Sequence, residues 1–340
     1  MTRKFCISGY YGFDNFGDEM ILKVLTEQIK NFKNNSEITV FSSNPLKTEE
    51  QYKVKSVYSF DLLLVIKELL RCNYLISGGG SLLQDVTSNK SLIYYLLVIA
   101  IALFFRKKVI IFAQGIGPIN NKILANITKI LLKKAKYITV RDKKSLNLLS
   151  KWGIEANICN DPVWNIKINE KEKTDKIGIQ LRNFPSLKPE FINDLALCID
   201  KFYQDKEIII FSFQNKIDLE ICNKLKEQIQ SVNSEINVKV IENTSNEKII
   251  DDISELDSLI AMRYHACLIG IKAGVKVLPI NYDIKVETLS KDFNLKNLDL
   301  NCSLENMEYI FADFKNSSEN YKTEQIEKLN FNFIELENKL

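Results

Sequence analysis

At 340 residues the chain exceeds what one hydrophobic core usually serves, so two domains are expected. Hydrophobic residues make up 46% and charged residues 26%, which excludes a disordered or fibrous chain. The net charge of +3 gives no ground for a nucleic-acid partner.

The seven cysteines, Cys6, Cys72, Cys159, Cys198, Cys222, Cys267 and Cys302, stand far apart with no CxxC pair, so no metal site and no redox pair is predicted. Met1 to Phe5 leads straight into a strand and shows no signal-peptide apolar region, which together with the thiols predicts a cytoplasmic protein.

Phe5 to Ser8 reads as a strand, followed by a loop with Gly9, Gly12 and Gly17 and a helix from Glu19 to Lys30, with Asp18 as its N-cap. Gly12 and Gly17 have P-loop spacing, but Asp18 and Glu19 stand where Lys and Ser/Thr would be needed. Two carboxylates repel phosphate and suit sugar hydroxyls, as acceptors of hydrogen bonds or as a base. A glycine turn before an acidic helix start accounts for the same residues.

Ile38 to Ser42 is the second strand, Ser59 to Arg71 a helix capped by Ser59, and Tyr74 to Ser77 a strand that runs into Gly78, Gly79 and Gly80. Leu83 replaces the last glycine of GxGxxG, so no dinucleotide fingerprint is present. Leu92 to Phe105 is an unbroken apolar run followed by Arg106, Lys107 and Lys108. It is too short to cross a bilayer and reads either as a core helix or as a surface that meets acidic headgroups. Val109 to Ala113 is a strand ending in Gln114-Gly-Ile-Gly-Pro118, and Tyr137 to Val140 a strand ending in Arg141-Asp142. In a doubly wound sheet the exits at Gly9, Gly78, Gln114 and Arg141 share one edge.

A polar run around 160–175 is the predicted linker. Strands and helices alternate again beyond it, up to Ser258 to Gly270, a strand turning into a helix that presents Arg263 and the only histidine, His265. A helix start at a strand exit favours anions. His265 reads equally as a hydrogen-bonded core residue or as an acid–base group. Thr323 to Leu340 is predicted as an amphipathic helix. The expected fold class is α/β, with two Rossmann-like domains facing across a cleft in a GT-B-like arrangement: 1–165, 170–305, and a helical segment 306–340.

Several stretches in this order resemble the polysaccharide pyruvyl transferase family, most of all its CsaB-type bacterial members: Gly9 to Glu19, Ser77 to Ser88, Ala113 to Pro118, Val140 to Asp142, Met262 to Ala266 and Tyr282 to Lys285. Tyr264 departs from the leucine more usual in that family. The resemblance implies transfer of pyruvate from phosphoenolpyruvate, the donor substrate, onto two hydroxyls of one sugar, with no separate cofactor. It implies that Arg141, Arg263, His265 and Lys285, with Tyr264 between them, contact phosphoenolpyruvate on the C-terminal side. Arginine forks suit its carboxylate and phosphate. His265 is the expected acid. Asp14, Asn15, Asp18 and Glu19, with Gly79, Gly80 and Gln114, are the expected acceptor side, Asp18 or Glu19 acting as base. The acceptor is expected to be a sugar or a lipid-linked saccharide, which would place the protein at the inner membrane face. A nucleotide-sugar glycosyltransferase of the same architecture and a non-catalytic membrane-surface scaffold are the competing readings.

Overall fold

The apolar runs that end in glycine or polar residues fold as parallel β–α units. A computed structural model describes residues 2–340 except 33–35, 87, 243, 318–320 and 322; Thr87, within the Ser77 to Ser88 stretch, therefore lies outside the described residues. The chain forms two units, Met1–Ile166 with Leu329–Leu340, and Lys167–Lys328.

The first unit contains β1 (Arg3–Ser8), α1 (Phe16–Phe32), β2 (Ser36–Ser42), α2 (Pro45–Tyr52), β3 (Lys55–Tyr58), α3 (Leu62–Arg71), β4 (Tyr74–Ser77), β5 (Gly80–Leu83), α4 (Asn89–Phe104), β6 (Lys108–Ile116), α5 (Lys122–Leu132), β7 (Tyr137–Val140), α6 (Lys143–Lys151), β8 (Asn157–Ile158) and a 3₁₀ turn at Pro162–Asn165. The second contains β9 (Ile177–Gln180), α7 (Pro189–Tyr203), β10 (Ile208–Phe211), α8 (Asn215–Val232), β11 (Val238–Ile241), α9 (Asn246–Ser254), β12 (Ser258–Ala261), α10 (Tyr264–Lys272), β13 (Lys276–Asn281), α11 (Ile284–Asp292), β14 (Leu298–Asp299), α12 (Leu304–Asn316) and α13 (Thr323–Glu327). A final helix, α14 (Phe333–Lys339), returns to the first unit.

Both sheets are parallel. The first has the order β3-β2-β1-β4-β6-β7-β8 with β5 beside β6, the second β11-β10-β9-β12-β13-β14. In each, the chain steps outward in one direction, then crosses back: from β3 to β4, and from β11 to β12. Right-handed crossovers therefore put α1 and α2 on one face of the first sheet and α3 to α6 on the other. Central strands such as β4, β7, β9, β10 and β12 are buried along their whole length, which is why they read as continuous apolar runs.

Local chemistry moves several predicted helix starts. Helix α1 begins at Phe16, not Glu19, because Asn15 takes the cap: its Oδ1 accepts the Gly17 N–H at 3.2 Å and its carbonyl the Glu19 N–H at 3.0 Å. Asp18 thus lies inside the first turn. Helix α3 is capped by Asp61, whose Oδ1 accepts the Leu64 N–H at 3.0 Å, not by Ser59. The elements α2 and β3 were not foreseen at all.

The chain's end differs too. Helix α12 seals the second unit's core with Met307, Phe311 and Phe314. The last helix is α14 alone, which joins the first unit: the rings of Phe331 and Phe333 pack tilted against Phe112 with centres 5.0 and 5.9 Å away, and the Tyr74 hydroxyl donates to the Leu340 carbonyl. Residues 306–340 are therefore not a separate segment. The predicted long helix is broken between α13 and α14.

Helix α4 packs Leu92, Tyr95, Leu96, Val98, Ile99 and Ala102 inward, as a core helix should. Of the basic triplet after it, Lys107 donates to the carbonyls of Leu70 and Cys72 at 2.8 and 2.9 Å, and the exposed Lys108 donates to the Tyr74 hydroxyl at 3.3 Å, while Arg106 is exposed as well. No helix among the described residues is long and apolar enough to cross a membrane, and all seven cysteines are free.

The β1–α1 loop is held by Glu19. Its carboxylate, buried, accepts the Gly12 N–H at 2.7 Å and the Tyr52 hydroxyl at 2.6 Å. Burial pushes the carboxyl above its ordinary value of 4.5, against the pull of those two donors. The folded state thus holds this proton more tightly than the unfolded chain, so stability from this group is lost as pH rises from about 4.5 through the raised value and is flat beyond it. Glu19→Gln can still accept the Gly12 N–H through its oxygen and donate its amide to the Tyr52 hydroxyl, which keeps the Glu19 carbonyl as its own acceptor, and it removes the titration. The gap in melting temperature between Glu19→Gln and the wild type should shift in the variant's favour across that window; a gap that stays constant with pH contradicts this account.

Candidate functional site

Open α/β sheets bind ligands outside the carboxyl ends of their strands where the strand order reverses. In the first unit that point lies between β1 and β4, and in the second between β9 and β12.

At the first, Tyr11 folds back over two glycines. A Cβ on Gly78 would come within 1.9 Å of its hydroxyl, and one on Gly9 within 2.3 Å of its ring. The Tyr11 hydroxyl is buried without a hydrogen-bond partner, and burial first, then the charges of Asp18 and Glu19, hold it well above its ordinary value of 10.0. Gly80, at φ +92, is required twice over, since a Cβ there would meet Asp18 Oδ1 at 2.6 Å. The half-buried Asp18 carboxylate therefore rests on the Gly80 backbone at the reversal point.

The other predicted acceptor residues are placed differently. Glu19 is buried with both oxygens engaged, which takes it away from the base role. Gln114 is fully buried and donates sideways, to Ser77 Oγ at 2.8 Å and the Gly78 carbonyl at 2.6 Å, so it braces the β4 exit. Gly79 makes room for Ile21 of α1, 2.8 Å from where a Cβ would stand. Asn15 is the helix cap. Asp14 is exposed and pairs with Lys47 at 2.6 Å, a surface pair of small energetic weight. Of the set, only Asp18 combines access, charge and the reversal point.

Arg141 leaves β7 and is nearly covered. Its guanidinium reaches Asp161 at 3.3 Å and Ser81 Oγ at 3.0 Å, while its Nε has no partner. Asp161, in the stretch read as linker, is a buried carboxylate that also caps the 3₁₀ turn by accepting the Val163 N–H at 3.0 Å.

At the second reversal point, β12 ends at Ala261 and α10 begins at Tyr264, so Arg263 occupies the cap position and His265 the first turn, as the strand-to-helix reading predicts. Arg263 itself is not an open clamp. Its Nε and one terminal nitrogen bind Asp218 at 2.8 and 2.7 Å, and Asp218 is completely buried on α8. The backbone of the same residue donates to Gln180 Oε1 at 2.7 Å. The pair is electrically neutral, with guanidinium N–H groups left over. Tyr264 stands edge-on to His265, ring centres 5.2 Å apart.

The cation that the sequence reading missed is Arg182, just beyond the β9 exit. It lies over the rings of Phe184 and Tyr282 at 5.9 and 5.8 Å, and its NH1 reaches the Tyr282 hydroxyl at 3.4 Å. No carboxylate among the described residues pairs with it, and its buried Nε has no partner. Burial raises the Tyr282 phenol, and the nearby arginines pull it back. One strand further, Asp283 caps α11 by accepting the N–H groups of Lys285 and Val286 at 2.9 and 3.0 Å, which leaves the Lys285 side chain exposed. The predicted donor residues are thus divided: Arg141 belongs to the first unit, and Arg263, Tyr264, His265 and Lys285 to the second. Among the described residues no group of three or more His, Cys, Asp or Glu is arranged to hold a metal.

Removing Asp218 would leave Arg263 charged and buried without compensation. Asp218→Ala should destabilise the protein by about 3 kcal/mol, or roughly 6–12 °C in melting temperature. Asp218→Leu combined with Arg263→Met should recover most of that loss. Thermal unfolding of the three proteins decides it: a single variant as stable as the wild type means that the pair does not brace the strand exit.

The fold is shared with solved structures that include two UDP-GlcNAc 2-epimerases. UDP-GlcNAc 2-epimerase from Methanocaldococcus jannaschii superposes with a TM-score of 0.66 at 13% identity, covering 95% of each chain. Anabaena HepE in complex with UDP and glucose gives 0.61 at 12%, covering 92% of this chain and 90% of its own. UDP-GlcNAc 2-epimerase from Neisseria meningitidis bound to UDP-GlcNAc gives 0.61 at 12%, covering 100% of both. Such low identity establishes two Rossmann-like domains and nothing about chemistry. No curated protein matches the chain in sequence. A family model does match, across residues 15–284, and that span includes Asp18, Gly80, Arg141, Arg182, Arg263 and His265. The chain belongs to the polysaccharide pyruvyl transferase family.

Proposed function

We propose that this protein transfers the enolpyruvyl carbons of phosphoenolpyruvate to two hydroxyls of one sugar, closing a cyclic ketal and releasing inorganic phosphate. The observation that carries the reading is the cationic sheet edge of the second unit: Arg182, His265 and Lys285 stand at the neighbouring exits of β9, β12 and β13 beside a helix start, and Arg182 has no carboxylate partner among the described residues. A small ligand with a carboxylate and a phosphate suits such an edge.

In the reaction, a proton added to the methylene carbon makes C2 electrophilic, and a sugar hydroxyl adds there. The C2–O bond to phosphate then breaks, and the second hydroxyl closes the ring. Of the two hydroxyl protons, one ends on the new methyl group and the other on phosphate. His265 is the acid in this scheme, and Lys285 and Arg182 stabilise the departing phosphate. Arg263 acts through its remaining N–H groups, held in place by Asp218. Asp18 is the base toward the acceptor, because Glu19 is committed to the loop. Seven free thiols suit a reducing compartment, where phosphoenolpyruvate is at hand.

Phosphoenolpyruvate at a hundred times its dissociation constant should stabilise the protein by about 2.7 kcal/mol, and a panel of nucleotide sugars should not. The reverse result would assign a nucleotide-sugar glycosyltransferase. In phosphate-release assays over a panel of saccharide acceptors, His265→Ala should lower kcat by about 10²–10⁴-fold, Arg182→Ala should weaken the donor about tenfold with less effect on kcat, and Asp18→Asn should act on acceptor kinetics with donor affinity unchanged. Near-normal turnover of His265→Ala at saturating donor would remove it as the acid. Since His265 is the only imidazole, its resonance should move when phosphoenolpyruvate is added.

A further inference from the structure

The helical face made by α3, α4 and α5 is apolar on the outside as well as the inside. Helix α4 packs against both neighbours. Its outward positions are Ile93, Leu97, Ile101 and Phe104, at i, i+4, i+8 and i+11, of which Ile93 and Leu97 are exposed and Phe104 is 80% exposed. On α3 the outward stripe is Leu63, Ile66 and Leu70, with Leu63 81% exposed. On α5 it is Ile123, Ile127 and Ile130, with Ile123 72% exposed. Three adjacent helices thus each carry exposed apolar residues with no partner among the described residues, while Ile101 between them also packs on the core, where a surface helix ordinarily turns polar residues outward.

Charge identifies what covers it. Residues 62–136 contain eleven Lys and Arg against two acidic residues, although the whole chain has 46 against 43. Both acids are spent internally: Glu68 is buried and pairs with Lys55 at 2.6 Å, and Asp85 accepts the N–H groups of Asn120 and Asn121 at 2.7 Å each. The cations, by contrast, continue the apolar stripes. Lys67 lies between Leu63 and Leu70 at i+4 and i−3, Lys90 is one turn before Ile93, Lys134 is four residues past Ile130, and Arg106 follows Phe104. All four are exposed, and none has an acidic partner among the described residues.

We infer that the α3–α4–α5 face docks on an anionic lipid surface, with the three apolar stripes entering the headgroup–acyl boundary and Lys67, Lys90, Arg106 and Lys134 meeting acidic headgroups. An apolar face with unpaired cations, Lys67 and Lys90 within its helices and Arg106 and Lys134 just past their ends, is the pattern of interfacial binding, in which buried apolar area and attraction to anionic lipid add together. A second copy of the chain suits the face less well, because an isologous contact would set like charges against each other. This inference stands apart from the donor reading, since none of these residues lies at a strand exit.

The full-length protein is tested by co-sedimentation with vesicles of phosphatidylcholine alone and of phosphatidylcholine mixed with phosphatidylglycerol. It should sediment with the anionic vesicles and far less with the neutral ones, and added salt should weaken binding. Leu97→Asp with Phe104→Asp, and separately Lys67→Glu with Lys90→Glu and Lys134→Glu, should each reduce partitioning by at least about tenfold. The substituted side chains are exposed, so melting temperatures should stay near the wild type, and phosphoenolpyruvate should stabilise both variants as it does the wild type, which reads the donor site independently. Three outcomes overturn the inference: wild type that remains in the supernatant with anionic vesicles, variants that sediment as the wild type does, or a solution dimer that Leu97→Asp with Phe104→Asp turns into monomer.

Discussion

Right-handed crossovers on a parallel sheet are the constraint on which the rest of this protein depends. This chain steps outward from β1 to β3 and then crosses back to place β4 beside β1, and right-handedness puts the helix that carries the return on the opposite face. The reversal leaves the β1 and β4 exits without a helix packed across them, and the same happens at β9 and β12. Glycines at 9, 78 and 80 let the backbone and Tyr11 crowd into the first of these gaps. The second gap instead collects side chains from three consecutive exits.

Electrostatics then divides residues that look alike in sequence. Arg141 and Arg263 are each held by a buried carboxylate, Asp161 and Asp218, whereas Arg182 lies on aromatic rings with its charge uncancelled. Burying a lone guanidinium would cost several kcal/mol, so the carboxylates are what allow the two arginines to sit so deep. A neutral pair attracts an anion from a distance far less than a bare cation does, but its leftover N–H groups are fixed in direction. In the proposed reaction long-range attraction falls to Arg182, and orientation to Arg263.

What the sequence made legible was what local chemistry decides. The strand-to-helix turn at Arg263 and His265, the glycine exits and the boundaries of β4, β7 and β12 follow from apolar runs and nearby turn residues, and the ordered stretches from Gly9 to Lys285 point to the family. What it hid was long-range. Asp218 looks like an ordinary helix residue, and its partner is 45 positions away. Glu19 looks like a free acid until Tyr52 is folded onto it. Arg182 carried a usable signal, because it stands two residues beyond the end of a strand, as Arg263 does. The short α2 and β3 were missed because neither has the length that makes periodicity readable.

Helix α4 shows why an apolar run permits two answers that are not exclusive. One side of it closes the core of the first unit, and the other side continues the apolar stripes of α3 and α5 on the surface. Its start, at Asn89, comes nine residues after Gly80, on which Asp18 rests, and it packs directly against β5. The segment that would lie on a lipid surface is therefore rigidly joined to the gap assigned to the acceptor. That linkage favours an acceptor carried by a lipid over one free in solution, since docking would raise the local concentration of the first and do nothing for the second. With the proposed docking face and the proposed acceptor gap, core and surface roles in one helix would couple where the protein sits to what its reversal point can reach.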